Sequence, residues 1–155
     1  MERPPTLRAA TSSDAAALTD VFLRARAAAM PWLPRTRSDA STRWWMTNAV
    51  LAELEVWVAE RDGAVVGFAA LRPGRLDHLH VDPAVQGTGV GRALLGRAVE
   101  RGGPGLLVRV LQRNERAIAF FTGRGFVWEA ESDGGDSEER EPDVVLRGPG
   151  PDERW

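Results

Sequence analysis

The sequence contains no cysteine, no lysine and no tyrosine. Without cysteine there can be no disulfide, thiolate metal site or cysteine nucleophile. All 20 basic residues are arginine, which removes a Schiff-base lysine and the phosphate-binding lysine of a nucleotide loop. With tyrosine also missing, no ordinary side-chain acid titrates between about pH 9 and 10.5, because arginine stays charged throughout. No stretch approaches the roughly 20 apolar residues of a membrane span. The opening MERPPTLRAATSSDAA lacks the apolar core of a signal peptide, so a cytoplasmic protein without membrane attachment is expected. A net charge of -2 gives no basic footprint for nucleic acid, which is not expected as a partner.

What is present suits one α/β domain. At 155 residues, 43% apolar and 27% charged, the chain can bury a single core, placed at about residues 5–148 with a short tail at 149–155. TLRAAT reads as a strand. Thr11 and Asp14 form a capping-box pattern, and Leu18, Val21, Phe22, Ala25 and Ala29 mark one helix face that Pro31 ends. MPWLPRTR is a loop. Ser38 or Asp39 can cap a second helix carrying Trp44, Trp45, Asn48 and Leu51, and VWVAERDGAVVGFAALRP is a hairpin turning at Asp62-Gly63. RLDHLHVDP is a further strand. Val90, Leu94, Leu95 and Ala98 define a helix ended by Gly102-Gly103, followed by the apolar strand GLLVRVL. NERAIAFFTGRGF is a short helix stopped by glycine, and FVWEAE and DVVLR are strands separated by the acidic SDGGDSEEREP. The order predicts a central mixed sheet flanked by about four helices.

The run LHVDPAVQGTGVGRALL places Gly87, Gly89 and Gly91 between a strand and a helix. A dinucleotide fingerprint fails, because the third glycine and the acidic residue about 20 positions on are both missing, and the Walker pattern lacks its GK pair. Two readings remain open: a tight turn that needs glycine for packing alone, or a helix start whose backbone N–H groups converge on an anion.

Val81, Pro83, Gln86, Gly89 and Gly91 satisfy V-x-P-x-x-Q-x-x-G-x-G, which resembles the acyl-CoA signature of the GNAT superfamily of N-acetyltransferases. NERAIAFFTGRGF is similar to the family's N-x-x-A-x-x-F-Y-x-x-x-GF segment through Asn114, Ala117, Phe120, Gly125 and Phe126. MPWL, Trp57, LQRN and EEREPD together resemble a small bacterial subgroup. The resemblance implies acetyl-CoA as co-substrate and a GNAT-like α/β fold in which RLDHLHV and GLLVRVL splay apart; His78 and His80 share a strand face but lack the third ligand of a catalytic zinc site, so no metal is expected. It implies that Gln86, Gly87, Thr88, Gly89, Val90 and Gly91 hold the pyrophosphate through backbone amides, with Arg92 an outer contact or a solvated helix residue. Backbone groups near Leu79 and Val81 would hydrogen-bond the pantetheine arm. Asn114 would steady it, serve as a helix N-cap, or do both, and Phe121 would pack against it.

The implied reaction is direct attack of a neutral amine on the thioester carbonyl, through a tetrahedral oxyanion, with departure of the thiolate. Strand alternation puts Arg75, Asp77, Leu79 and Val81 on one face and His78 and His80 on the other. Asp77 is the leading base, with a purely structural carboxylate as the alternative, and His78 lines the acceptor pocket. The family's common tyrosine, which protonates the departing thiolate, corresponds to Phe121. Related enzymes build the acceptor pocket from the two loops, so Trp32 becomes a wall, and Glu138, Glu139, Glu141 and Asp143 attract a cationic amine or form a solvated hairpin loop. The acceptor is a primary amine, either a small molecule or a peptide N-terminus, and a homodimer is left open. The alternatives are a non-catalytic acyl-CoA-binding module and a nucleotide- or phosphate-binding regulator.

Overall fold

The computed structural model describes residues 3–151. The elements run β1 (Thr6–Ala9), α1 (Ala15–Ala29), α2 (Asp39–Trp45), a π turn (Met46–Val50), α3 (Leu51–Glu53), β2 (Glu55–Arg61), β3 (Ala64–Arg72), β4 (Arg75–Val81), α4 (Val90–Gly102), β5 (Leu107–Leu111), α5 (Glu115–Thr122), β6 (Val127–Ser132) and β7 (Asp143–Arg147). Because α2, the π turn and α3 are continuous, four helices flank one seven-stranded mixed sheet of order β1-β2-β3-β4-β5-β7-β6. The domain has the fold expected from the sequence, although the last part of the expected tail, residues 152–155, lies outside the described residues. Pro149, at the start of that tail, is buried, and its carbonyl accepts the Gly105 N–H at 2.9 Å.

Local chemistry accounts for most boundaries. Thr11 N–H donates to the Asp14 carboxylate at 2.7 Å, and α1 then buries Leu18, Val21, Phe22 and Ala25. Asp62 and Gly63 both have positive φ (54° and 79°), as a two-residue turn between right-twisted strands requires. Ser38 caps α2 by accepting from Ser41 N–H at 3.1 Å. The face of that helix differs from expectation. The π turn adds a residue, so Thr42, Met46 and Val50 point inward while Trp44 is 67% exposed.

Two apolar clusters sandwich the sheet. One packs α4 and α5 on one face through Leu94, Leu95, Ala98 and Phe121, and the other packs α1 and the second helix through Leu18, Phe22, Met46 and Val50. Two irregularities interrupt the middle of the sheet between them. Parallel β4 and β5 pair only at Arg75–Leu107 and Leu76–Val108, then separate. Ala70 pairs with His78 but Leu71 with Leu76, so Asp77 is a bulged, unpaired residue. The bulge overturns the strict alternation expected for β4: Leu76 joins the same core cluster as Leu79 and Val81, on the face opposite His78 and His80.

Candidate active site

The gap between β4 and β5 is where two cavities meet. The larger, of about 490 Å³, runs from the glycine loop to the gap. The smaller, of about 260 Å³, lies beyond it under α1, the 30–38 loop and the acidic loop. Arg26, Met30, Leu79, His80, Asn114 and Phe121 line both, so the two spaces share one junction.

The glycine loop is built as a cradle. After β4, Asp82 accepts the Ala84 N–H at 3.0 Å and pairs with Arg24, which fixes the descent from the strand. Gly87 and Gly89 have φ of 79° and 95°, conformations that favour glycine. A side chain at either position would meet nothing within 4 Å, so the requirement is backbone conformation and open approach rather than packing. Gly91 differs: its φ is ordinary, and a Cβ there would touch the Phe120 ring at 3.4 Å. Helix α4 then starts with no side-chain cap, leaving its first N–H groups facing the loop.

Of the residues named from the sequence, Gln86, Gly87, Gly89, Gly91, Arg92, Leu79, Val81, Asn114 and Phe121 line the larger cavity. Thr88 and Val90 do not. Thr88 accepts from Arg61 at 2.7 Å and donates to the Val85 carbonyl, while the Val90 side chain is buried in the core. Arg92, Arg116 and Arg124 line this cavity alone and Arg26 lines it at the junction, and among the described residues no carboxylate does. Arg124 stacks on Phe120 with its guanidinium 4.1 Å from the ring centre, donates to the Phe120 carbonyl at 2.9 Å, and has a buried Nε without a partner. The space is a cationic groove for a polyanion that narrows to an apolar end.

Asn114 caps α5, accepting from Ala117 N–H at 3.3 Å, and its side chain also faces both cavities. Phe121, 5% exposed, sits at the junction beside Phe120 and Phe126. Asp77 and His78 line the smaller cavity. The Asp77 carboxylate accepts from Arg72 at 2.6 Å through Oδ2. Arg75 Nε lies 2.9 Å from Oδ1 without hydrogen-bond alignment, leaving Oδ1 buried and without a hydrogen-bond donor. His78 and His80 stand edge-on to Phe22, with His78 also against Trp45 and His80 tilted against Phe68. His78 is pushed down to about 4 and His80 to about 3, chiefly by burial, with the nearby positive charge of Arg26 acting in the same direction on both. Both imidazoles are therefore neutral at physiological pH.

The acceptor-side expectations are only partly met. Glu139 lines the smaller cavity and pairs with Arg109 at 3.2 Å. Asp143 does not line it, being buried against Arg109 Nε at 2.7 Å. Trp32 lies under the Arg113 guanidinium, 3.8 Å from its ring centre, instead of walling the cavity; Trp45 takes that position. Glu138 and Glu141 are likewise paired, with Arg37 and Arg113. Arg26, Arg116 and Arg124 were missed by sequence reasoning. Arg26 did carry a signal, falling four residues after Phe22 in line with the buried face of α1.

Comparisons with known proteins point to one family. The family model for the acetyltransferase (GNAT) domain fits residues 52–128. The chain is 35% identical over 102 residues to the peptidyl-lysine N-acetyltransferase YjaB of Salmonella typhimurium, covering 58% of this chain and 70% of that protein. It is 38% identical over 80 residues to the peptidyl-lysine N-acetyltransferase YiaC of Escherichia coli, covering 51% of this chain and 54% of the relative, so there the match spans about half the relative's length. The solution structure of apo YjaB from Escherichia coli superposes with a TM-score of 0.79 at 27% identity, covering 96% of this chain and 99% of that one. The structure of YncA from Salmonella typhimurium with acetyl-CoA gives 0.68 at 26% identity, covering 98% and 96%.

Proposed function

This chain belongs to the GNAT acetyltransferase family, and from that premise we propose that it moves an acetyl group from acetyl-CoA to a primary amine by direct attack. The observation that carries the reading is the junction: a cationic cavity free of carboxylates meets a second cavity at the one place where β4 and β5 part. The residues present fit coenzyme A. The loop from Gln86 to Gly91, with Arg92, Arg116 and Arg124, would hold its phosphates. The unpaired edges of β4 at Leu79 and Val81 would receive the arm, with Asn114 and Phe121 beside it. Bound there, the group supplies a thioester whose acyl carbon is open to a nucleophile.

The chain's own contribution is positioning and proton management. Phe121, Leu79 and neutral His80 form the apolar part of the junction, which limits water there and favours the uncharged amine. Asp77, at the bulge on the acceptor side, is the assigned proton acceptor; support comes from its place on the cavity wall and from Oδ1, which takes no hydrogen bond. Phe121 carries no proton, so the leaving group departs without an acid from this position.

A second reading, an acyl-CoA-binding module without turnover, draws on that same phenylalanine. Release of free thiol from acetyl-CoA, measured across a panel of primary amines and lysine peptides, separates the two. Calorimetry with CoA, ATP and NAD tests the nucleotide-binding alternative. Amine-dependent thiol release supports the transferase. CoA binding without release under any amine supports the module, and preference for ATP or NAD removes both.

A further inference from the structure

Building on the acetyltransferase reading, we propose that Arg26 binds the carboxylate of the acceptor, and that the acceptor is a free α-amino acid with an apolar side chain. The first support is an uncompensated charge. Arg26, Arg35, Arg37 and Arg109 line the smaller cavity with Asp77, Glu138 and Glu139. Arg35 pairs with Asp39, Arg37 with Glu138 at 2.9 Å, and Arg109 with both Glu139 and Asp143. Asp77 is held between Arg72 and Arg75. Among the described residues Arg26 alone of this set has a side chain with no ion pair or hydrogen bond; its guanidinium rests 5.7 Å from the Phe22 ring centre. A guanidinium in a partly desolvated wall without an anion is a site awaiting one.

The second support is position. Arg26 lies at the junction, on the walls of both cavities, and its charge is felt by both His78 and His80. An anion held there sits beside the place where the amine must meet the donor. In a free α-amino acid the amine and carboxylate share one carbon, so seating the carboxylate on Arg26 places the amine at the junction. A peptide N-terminus offers a carbonyl at that point, and a peptidyl-lysine amine offers nothing. The phosphates of the donor have cations of their own, because Arg92, Arg116 and Arg124 line only the larger cavity. The acceptor wall also offers the apolar Phe22, Leu23, Met30 and Trp45, beside Thr36 and Thr42, and about 260 Å³ suits one amino-acid side chain better than a peptide.

The test measures acetyl transfer to L-leucine and L-phenylalanine against isoamylamine and phenethylamine, which differ from them by the carboxylate alone. Wild type, Arg26→Gln and Arg26→Lys are compared, with calorimetric binding of the amino acids to CoA-saturated protein as a readout apart from turnover. Wild type should prefer the amino acids by about 10²-fold in kcat/KM. Arg26→Gln should abolish that preference by slowing the amino acids only, Arg26→Lys should restore part of it, and CoA affinity should change by less than about threefold. Equal or better use of the carboxylate-free amines or of a lysine peptide by wild type overturns the proposal. So does an Arg26→Gln variant that slows both amine classes alike or loses CoA affinity, since that places the arginine on the donor. Turnover of no amine, with CoA bound, overturns the transferase reading itself and this inference with it.

Discussion

Acidification from pH 7.5 to 5.5 should destabilise the fold by about 2–3 kcal/mol, nearly all of it through two side chains. His78 and His80 are the only histidines in the chain, and burial holds them at about 4 and about 3. A histidine whose folded value is depressed keeps its full stability contribution above the unfolded value of about 6.5, and loses it as pH falls toward the folded value. At pH 5.5 the unfolded chain has bound nearly one proton per histidine and the folded chain almost none. Each site then costs about 1.3 kcal/mol relative to pH 7.5. That figure holds for any folded value well below 5. Asp14 and Glu55 are held below their usual range by hydrogen bonds from Arg8 and Arg101, so their contributions fade only at still lower pH. Urea unfolding followed by tryptophan fluorescence at pH 7.5, 6.5 and 5.5 measures the loss, and Tm should fall by roughly 6–10 °C. His80→Phe, which keeps an aromatic ring against Phe22 and Phe68, should halve it, and so should His78→Gln. Equal stability at pH 7.5 and 5.5, or an undiminished loss in both variants, would refute the claim that the fold holds these imidazoles neutral.

The site itself sets three further outcomes. Gly89→Val should abolish calorimetric CoA binding while the protein stays folded, because the cost is confined to a residue at φ 95° with open space around it; unchanged affinity in the folded variant removes the cradle. Asp77→Asn should lower kcat by roughly 10²-fold with acetyl-CoA affinity unchanged; a falling urea midpoint with normal turnover per folded molecule would assign Asp77 to the turn held by Arg72 and Arg75. Turnover at saturating substrate should rise with pH and then stay flat through about pH 9 to 10.5, and Phe121→Tyr should add a descending limb; a reversible limb in wild type would reveal an acid at the junction.

The parts of the fold legible in the sequence were those set by local chemistry. The Asp62-Gly63 turn, the Ser38 cap, the buried face of α4 and the glycine stop at Gly103 each follow from neighbouring residues. The bulge at Asp77 and the π turn at Met46–Val50 were not legible, because each extra residue is defined only by a partner strand or by the packing of a whole face. The same limit applies to the site. Gln86 to Gly91 is a contiguous motif and could be read, whereas Arg26 and Arg124 come to one cavity from α1 and the end of α5, 98 positions apart in the chain. The acidic loop shows the opposite error. Its carboxylates looked available for an amine until the folded chain brought Arg37, Arg109 and Arg113 to them.

That redistribution of charge bears on the absent tyrosine. A thiol with an ordinary value near 8.5 leaves as a tolerably stable anion, so protonating it at the moment of departure gains less than protonating an amide nitrogen or alkoxide would. What such an anion needs is a favourable field. The larger cavity has three guanidinium groups of its own, Arg92, Arg116 and Arg124, and among the described residues no carboxylate, and the two imidazoles beside it are neutral. No negative side chain of the donor cavity opposes a departing anion, and the fixed cations favour it at no cost of reorganisation. On the acceptor side every carboxylate of the cavity wall is already paired, so the sign of the field does not reverse across the junction. A phenolic proton at position 121 would therefore add little to a gradient the arginines already set, and a phenylalanine there fills the junction without removing a group on which the proposed chemistry depends.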